Sequence, residues 1–248
     1  MKRLILSIAS MALIAISAAS ITSCSDNDNG IYSTLYPNAL VTVKPVNGNS
    51  FYMQLDDNIT LKPVNMTTPP YGNREVRALL NFNYVKEDAS PYNRAVWVNW
   101  IDSILTKPAI PITELQPSVE YGDDAVEIVR DWVTIAEDGY LTLRFRTLWG
   151  LRGRPHSVNL ATGVNAEEPY EVEFFHDANG DTPTHYGDAL VAFRLDGLPD
   201  TDGKIVKLKL KWKSFSGYRW AEFDYCTGEA TAAPSNDILK MRPAIDVE

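Results

Sequence analysis

Cysteine, histidine and basic charge are all scarce in this sequence, and each shortage removes a class of function. Cys24 and Cys226 are the only two cysteines in 248 residues, too few for a disulfide framework or a cysteine-rich metal site. The 3 histidines, His156, His176 and His185, never fall at a His-Glu-x-x-His spacing, so the sequence carries no zinc-protease signature. Ser157 lies beside His156 without a Gly-x-Ser-x-Gly elbow around it, which removes the hydrolase nucleophile. Lysine and arginine total 23 against 32 acids, a formal charge of −9. That balance argues against nucleic acid and anionic lipid as general partners. No segment sustains a helical period, and no apolar run beyond the N-terminal one approaches a membrane span.

The N-terminal run is a targeting signal. Lys2 and Arg3 precede the apolar stretch Leu4 to Ala19, which ends in Ile21-Thr22-Ser23-Cys24. This order resembles the lipobox of bacterial lipoproteins, in which cleavage before the cysteine is coupled to acylation of that residue. Cys24 is therefore the expected lipid attachment site, and several acyl chains on one residue give durable membrane anchorage. Cleavage there removes two basic residues and no acid, moving the formal charge from −9 to −11. Ser25-Asp26-Asn27-Asp28-Asn29-Gly30 follows as a polar tether. It resembles the acidic export signal of surface-displayed lipoproteins in some Gram-negative anaerobes, with Asn27 and Asn29 interrupting the acidic run. The expected location is the outer membrane, on the cell surface or, alternatively, on the periplasmic face. With Cys24 lipidated, Cys226 has no partner in the chain and reads as a half-buried core thiol.

The rest of the chain reads as all-β. Residues 38–104 contain five rows of period two: Val41/Val43/Pro45, Phe51/Met53/Leu55, Ile59/Leu61, Val76 to Tyr84, and Val96/Val98/Trp100. In the fourth row Arg77, Asn81 and Asn83 are expected to face solvent. Five short strands with turn-rich gaps suit a small barrel. Pro108, Pro111 and Pro117 then mark a linker, with the domain boundary between residues 107 and 123. Seven strands follow, from Asp131 to Cys226, and read as an antiparallel β-sandwich. The domain limits expected are 1–23 leader, 24–34 tether, 35–110 barrel, 118–227 sandwich and 228–248 flexible tail.

The stretch Asp131 to Gly150 reads as one long hairpin. A two-residue loop at Asp138-Gly139 sets Leu141 opposite Ala136, whereas a three-residue loop sets Ile135 opposite Leu141. Apolar matching favours the three-residue loop, a type I turn with Gly139 left-handed in a bulge.

Several stretches resemble the NigD-like lipoproteins: Asp131-Trp132-Val133-Thr134, Asp138-Gly139-Tyr140-Leu141-Thr142-Leu143, Thr147-Leu148-Trp149-Gly150, Tyr170-Glu171-Val172-Glu173-Phe174, Leu198-Pro199-Asp200-Thr201 and Glu222-Phe223-Asp224-Tyr225-Cys226. The resemblance implies an N-terminal OB-type barrel followed by a C-terminal β-sandwich, in agreement with the five and seven strands read from the residues. It supplies no catalytic residue, because the family is named for its association with bacteriocin operons rather than for a mechanism.

Four features remain to be placed. Lys207, Lys209, Lys211 and Lys213 share one face of a strand, either as a contact surface for an anionic glycan or acidic partner or as guards of an exposed edge. Asp177, Asn179 and Asp181 alternate as oxygen ligands do in a calcium loop, although an ordinary Asn179-Gly180 turn is the better explanation. Asp102-Ser103-Ile104 resembles a short O-glycosylation acceptor, with Ser103 the residue modified, or else it is an unmodified strand end. Arg144 and Arg146 are further contact candidates on the polar side of the hairpin. No metal or other cofactor is expected.

The function expected from these observations is a non-enzymatic, lipid-anchored binding or accessory lipoprotein. Its partners would be the membrane through its lipid and an unidentified protein or glycan, not nucleic acid. The alternative is a bacteriocin-associated immunity factor. A carbohydrate-active enzyme, motivated only by aromatics such as Trp97, Trp100 and Trp220, stands third. Glu171 and Glu173, the paired carboxylates a glycosidase would need, read as a solvated strand face.

Overall fold

The first two-fifths of the folded chain roll into a closed barrel because every strand offers one continuous apolar face. The computed structural model describes residues 34–47, 49–115, 121–150 and 153–227. The leader, Cys24, the tether and residues 228–248 lie outside the described residues. Strands β1 (Ala39–Val46), β2 (Ser50–Gln54), β3 (Thr60–Pro63), β4 (Val76–Tyr84) and β5 (Arg94–Ser103) close in the order β1-β2-β3-β5-β4. Their inward residues, among them Val41, Val43, Met53, Leu61, Leu80, Val96 and Val98, make one core. These are the rows that the alternation marks out.

The outer face of the barrel does not behave as alternation predicts. Arg77 and Asn81, expected to face solvent, are 0% and 1% exposed. On β1 the outward-facing Leu40 and Thr42 are buried as well. Asn81 is held by its own domain, donating to Tyr36 O and accepting from Asn99 Nδ2. For Arg77, Leu40 and Thr42 the reason is a second body packed on this wall. Period two tells two faces apart, but it cannot say that the second face is also covered.

That body is the sandwich, whose ten strand segments include all seven expected. They are β6 (Leu105–Pro108), β7 (Ile110–Pro111), β8 (Glu127–Val129), β9 (Ile135–Glu137), β10 (Tyr140–Trp149), β11 (Ser157–Thr162), β12 (Glu171–Asp177), β13 (His185–Arg194), β14 (Val206–Ser214) and β15 (Gly217–Tyr225). One sheet runs β6-β13-β10-β8 with β9 also on β10, and the other runs β15-β14-β12-β11-β7. Between them Leu141, Leu143, Phe145 and Phe193 meet Leu160, Phe174, Leu208 and Leu210.

Three of the pairings are parallel rather than antiparallel: β6 with β13, β7 with β11, and β12 with β14. The first two come from the proline-rich stretch read as a linker. Leaving the barrel, the chain lays β6 along one sheet and β7 along the other, turning between them at the buried Ala109. Both are edge strands. A proline, which has no N–H to donate, is tolerated at an edge where it would break a central ladder.

The hairpin takes the two-residue loop, correcting the expected register. Glu137 pairs with Tyr140, Ala136 with Leu141 and Ile135 with Thr142. Asp138 and Gly139 have φ of 50° and 74°, the left-handed pair that a type I′ turn requires. Apolar matching misleads here because both faces of β10 are buried. Leu141 and Leu143 enter the sandwich core, while Tyr140 and Thr142 turn toward the barrel. The hairpin is also interrupted. Residues 131–134 leave the ladder, and the Thr134 hydroxyl bridges the gap, donating to Val129 O at 2.6 Å and accepting from Arg144 N at 3.1 Å.

Candidate functional site

Barrel and sandwich meet across a polar cluster that neither contains alone. On β4, Arg77 points out of the barrel into the hairpin. Its Nη2 donates to Glu137 Oε1 at 2.8 Å, Nη1 to Thr42 Oγ1 at 3.0 Å and Nε to Thr142 Oγ1 at 3.3 Å. The guanidinium also lies 5.8 Å from the centre of the Tyr140 ring. Around this cluster Leu40, Ile104, Tyr140 and Ala192 form a small core of their own, with Trp132 and Leu79 against it. At the turn, Lys44 pairs with Asp138 at 2.7 Å and Asp138 N donates to Asp57 Oδ1 at 2.6 Å. Burial is the main influence on the Asp57 carboxyl and pushes its pKa up. Backbone bonds continue the seam: Ile104 N donates to Arg77 O at 2.8 Å, and Arg77 N to Thr106 Oγ1 at 3.1 Å.

Beside this seam lies a groove of about 520 Å³, walled by both domains. The barrel supplies the loop from Tyr71 to Glu75 together with Ser103 at the end of β5. The sandwich supplies β6 and Arg194 at the end of β13. Tyr140 OH donates to Glu75 Oε1 at 2.8 Å, fixing the one acid in the lining. Tyr71 Oη is buried without a hydrogen-bond partner among the described residues, and burial pushes its pKa up to about 12. Lys107 sends its ammonium away, to Val158 O at 2.5 Å and Asn159 Oδ1 at 2.9 Å. Arg194 Nε is held by Asp196 Oδ2. Arg74 is exposed and has no ion-pair or hydrogen-bond partner among the described residues.

At the far end of the sandwich a second polar cluster is sealed. His156 stacks on Trp149 with ring centres 4.0 Å apart. Its Nδ1 lies 2.9 Å from His176 Nε2 and its Nε2 lies 3.3 Å from Asp181 Oδ2. His176 Nδ1 faces Asp124 O at 3.3 Å. A carbonyl only accepts, so His176 Nδ1 donates, His176 Nε2 accepts, and His156 Nδ1 donates to it. Two neutral imidazoles carry two protons for these three contacts, so the Asp181 contact is filled only when the pair holds a third. The His156 and Asp181 side chains are 2% and 4% exposed. Burial lowers the His176 pKa. Sequence spacing gave no sign of this pairing, because twenty residues separate two histidines that adjacent strands β11 and β12 bring together.

The features singled out in sequence are otherwise internally satisfied. Each lysine of β14 meets an acid: Lys207 with Asp224 at 2.5 Å, Lys209 with Glu168 at 2.9 Å, Lys211 with Glu173 at 3.0 Å and Lys213 with Asp123 at 2.7 Å. Moreover β14 is an interior strand, so the edge-guard explanation falls, and the row is a charge-balanced ladder between β12 and β15. Asp177 Oδ1 accepts Asn179 N at 2.6 Å, Asn179 Nδ2 donates to Pro155 O at 2.7 Å, and Asp181 Oδ2 accepts Gly150 N at 2.6 Å. These three side chains diverge, and no cluster fit to hold a metal occurs among the described residues. Desolvation would raise the Glu171 carboxyl, but Asn165 and Lys209 hold it below the usual range, the reverse of what a general acid requires. Arg144 is tied to Asp131 and Asp188, and Arg146 to Asp188. Trp97 and Trp100 are on the barrel and Trp220 on the sandwich strand β15, so they do not line one cleft. Cys226 is buried, its Sγ 3.7 Å from Thr201 Oγ1. Ser103 is exposed on the groove wall.

Sequence reasoning missed Tyr71, Arg74, Glu75, Arg77 and Arg194. An arginine in the apolar first half of β4 is the one available signal, and only a covered outer wall gives it meaning.

Residues 40–104 match the NigD-like N-terminal OB domain, and residues 108–225 match the NigD-like C-terminal β-sandwich domain. A crystal structure of a protein named toxin-related, from Parabacteroides distasonis, is 31% identical with a TM-score of 0.65, covering 82% of this chain and 98% of that one. A NigD-like immunity protein from Bacteroides caccae is 20% identical with a TM-score of 0.55, covering 76% and 96%. A protein from Bacteroides fragilis named as a lipoprotein is 9% identical with a TM-score of 0.51, covering 77% and 98%. The last two share the fold alone. No curated protein sequence matches the chain.

Proposed function

Because this chain belongs to the NigD-like family, we propose that it is a non-enzymatic, lipid-anchored binding lipoprotein of the outer membrane, facing outward, whose ligand site is the groove between barrel and sandwich. The observation that carries this reading is that a surface concavity is walled by both domains, beside the seam that the buried Arg77–Glu137 contact ties together. Ligand sites favour such domain junctions. The histidine, glutamate and cysteine side chains that could do covalent or acid–base chemistry are instead engaged with neighbours, buried or charge-paired. The anchor rests on the lipobox-like stretch ending at Cys24 and on the relative named as a lipoprotein. No helix among the described residues is long and apolar enough to cross a membrane.

A role as a bacteriocin immunity or accessory factor is the second reading. It is favoured by the names of two structural relatives, one toxin-related and one an immunity protein. The two readings share the groove and differ in its occupant. Ser103 remains a proposed glycan acceptor, and modification there would narrow the groove.

Labelling growing cells with an alkyne-bearing fatty acid tests the anchor. The protein takes up label and Cys24→Ala abolishes it. Protease added to intact cells degrades the protein if it faces outward. Unlabelled protein, or protein protected until the cells are opened, contradicts the anchor or the orientation respectively. A deletion strain with altered bacteriocin sensitivity favours the second reading over the first.

A further inference from the structure

We infer that the interdomain groove takes a small, carboxylate-bearing sugar, a ligand of the uronic-acid class, whose carboxylate is gripped by the guanidinium groups of Arg74 and Arg194. The inference deepens the groove reading above and rests on it.

Charge comes first. The chain as a whole is acidic, at −9, yet this groove is lined by Arg74, Lys107 and Arg194 against the single acid Glu75. Two of these cations are partly spent. The Lys107 ammonium is turned to Val158 and Asn159, and Arg194 gives its Nε to Asp196. That leaves the Nη groups of Arg194 and the whole Arg74 fork, with Glu75 the one carboxylate in the lining. With Asp196 counted against Arg194, three cations stand beside two acids, and the surplus of one suits a monoanion. It is poor for a phosphate dianion, which Glu75 would repel. A planar guanidinium also matches a carboxylate in geometry, through paired N–H···O bonds.

The remaining lining asks for hydroxyls. The Tyr71 ring lines one wall, while its Oη is shut off from solvent and so out of reach of a ligand in the open groove. Ser103 and Asn73 add short polar groups, and Glu75, held by Tyr140, keeps lone pairs free to accept. Leu105, 57% exposed at the rim, offers one apolar surface of the size that the C–H face of a sugar ring covers. The volume of about 520 Å³ lies within the range of small-molecule sites. A fatty acid would find too little apolar wall, and a simple inorganic anion would leave Asn73, Ser103 and Leu105 uncovered.

Ligand-observed NMR and calorimetric titration of the detergent-extracted full-length protein, with methyl glucuronide and methyl glucoside as probes, test the inference. The glucuronide binds saturably and at least about tenfold more tightly than the glucoside, since one charge-assisted pair separates them. Arg74→Ala and Arg194→Ala each weaken the glucuronide by about tenfold or more. Arg74 is an exposed loop residue, so the melting point of Arg74→Ala stays at the wild-type value. Arg219→Ala, on the sandwich face, changes nothing. If both sugars bind equally and Leu105→Asp weakens both, the groove reading survives and the carboxylate inference is overturned. If binding persists unaltered through Arg74→Ala, Arg194→Ala and Leu105→Asp, the site lies elsewhere and both readings fall. Absence of saturable glucuronide binding overturns the inference.

Discussion

The guanidinium of Arg77 in the barrel lies 2.8 Å from the carboxylate of Glu137 in the sandwich, and the two side chains are 0% and 6% exposed. A pair this deep stabilises less by its mutual attraction than it costs to break. Desolvation largely offsets the Coulomb gain, but removing one partner strands the other charge in a dry site. Arg77→Met is therefore expected to lose about 3–5 kcal/mol in urea unfolding, and Glu137→Leu a similar amount. The double variant recovers most of that loss but not all, because Thr42 and Thr142 lose their shared donor. Single variants within about 1 kcal/mol of wild type, the range of an exposed pair, would mean that the contact is solvated.

A second expectation concerns the turn that brings Glu137 into place. Gly139 has φ of 74°, and a Cβ added there meets nothing within 4 Å. The cost of a side chain is thus one of backbone conformation alone. Gly139→Val loses about 1–2 kcal/mol, while Gly139→Asn, which tolerates the left-handed region, loses markedly less. Equal stability of all three would refute the type I′ register.

Much of this architecture is legible in the residues, and its failures have one physical source. The inward rows of the barrel, such as Val41/Val43 and Met53, and of the sandwich, such as Leu208/Leu210, stand where alternation places them. Alternation fails at Arg77, Thr142 and Glu137, where both faces of a strand are covered and polar residues are held by partners from far along the chain. Pro108 and Pro111 looked like a linker because proline suits extended, unpaired chain, and an edge strand satisfies the same constraint. The groove was invisible for a related reason. Arg74 and Arg194 are far apart in sequence, and each is an unremarkable surface arginine until the domains dock.

Acidification provides a third test. Burial lowers the His176 pKa below its ordinary 6.5, so the unfolded chain takes up a proton at a pH where folded His176 remains neutral. The unfolded state then binds more protons, and stability rises with pH through that window. This contribution is fully present above about pH 6.5 and is lost as the pH falls toward the folded value. The thermal midpoint should drop between about pH 7.5 and pH 5.5, with the His176 ring signal titrating below that of an unfolded histidine. A midpoint that climbs on acidification over that range would contradict the assignment. Asp181, which receives Gly150 N and is held below the usual carboxylate range by that bond, loses its contribution only at far lower pH.

Asp57 supplies a fourth expectation, of the opposite sign. Its carboxyl is pushed up by burial, with the Asp138 and Asp56 carboxylates adding to the effect and the Asp138 N–H opposing it. The folded state therefore binds the extra proton, and its contribution to stability is lost as pH rises through the shifted value. Asp57→Asn removes the charge yet keeps an Oδ1 to accept Asp138 N. It should raise the melting point at neutral pH and flatten the pH dependence near the carboxylate range. A lowered melting point would mean that the charge itself is stabilising.

A binding groove walled by two domains has a fixed shape only if those domains behave as one body. Scanning calorimetry of the intact protein tests this most directly. The account predicts one cooperative transition, with calorimetric and van't Hoff enthalpies equal, which Arg77→Met shifts to lower temperature as a whole. Two resolved transitions, with Arg77→Met leaving both midpoints in place, would show barrel and sandwich to be independent and the groove between them to be no site at all.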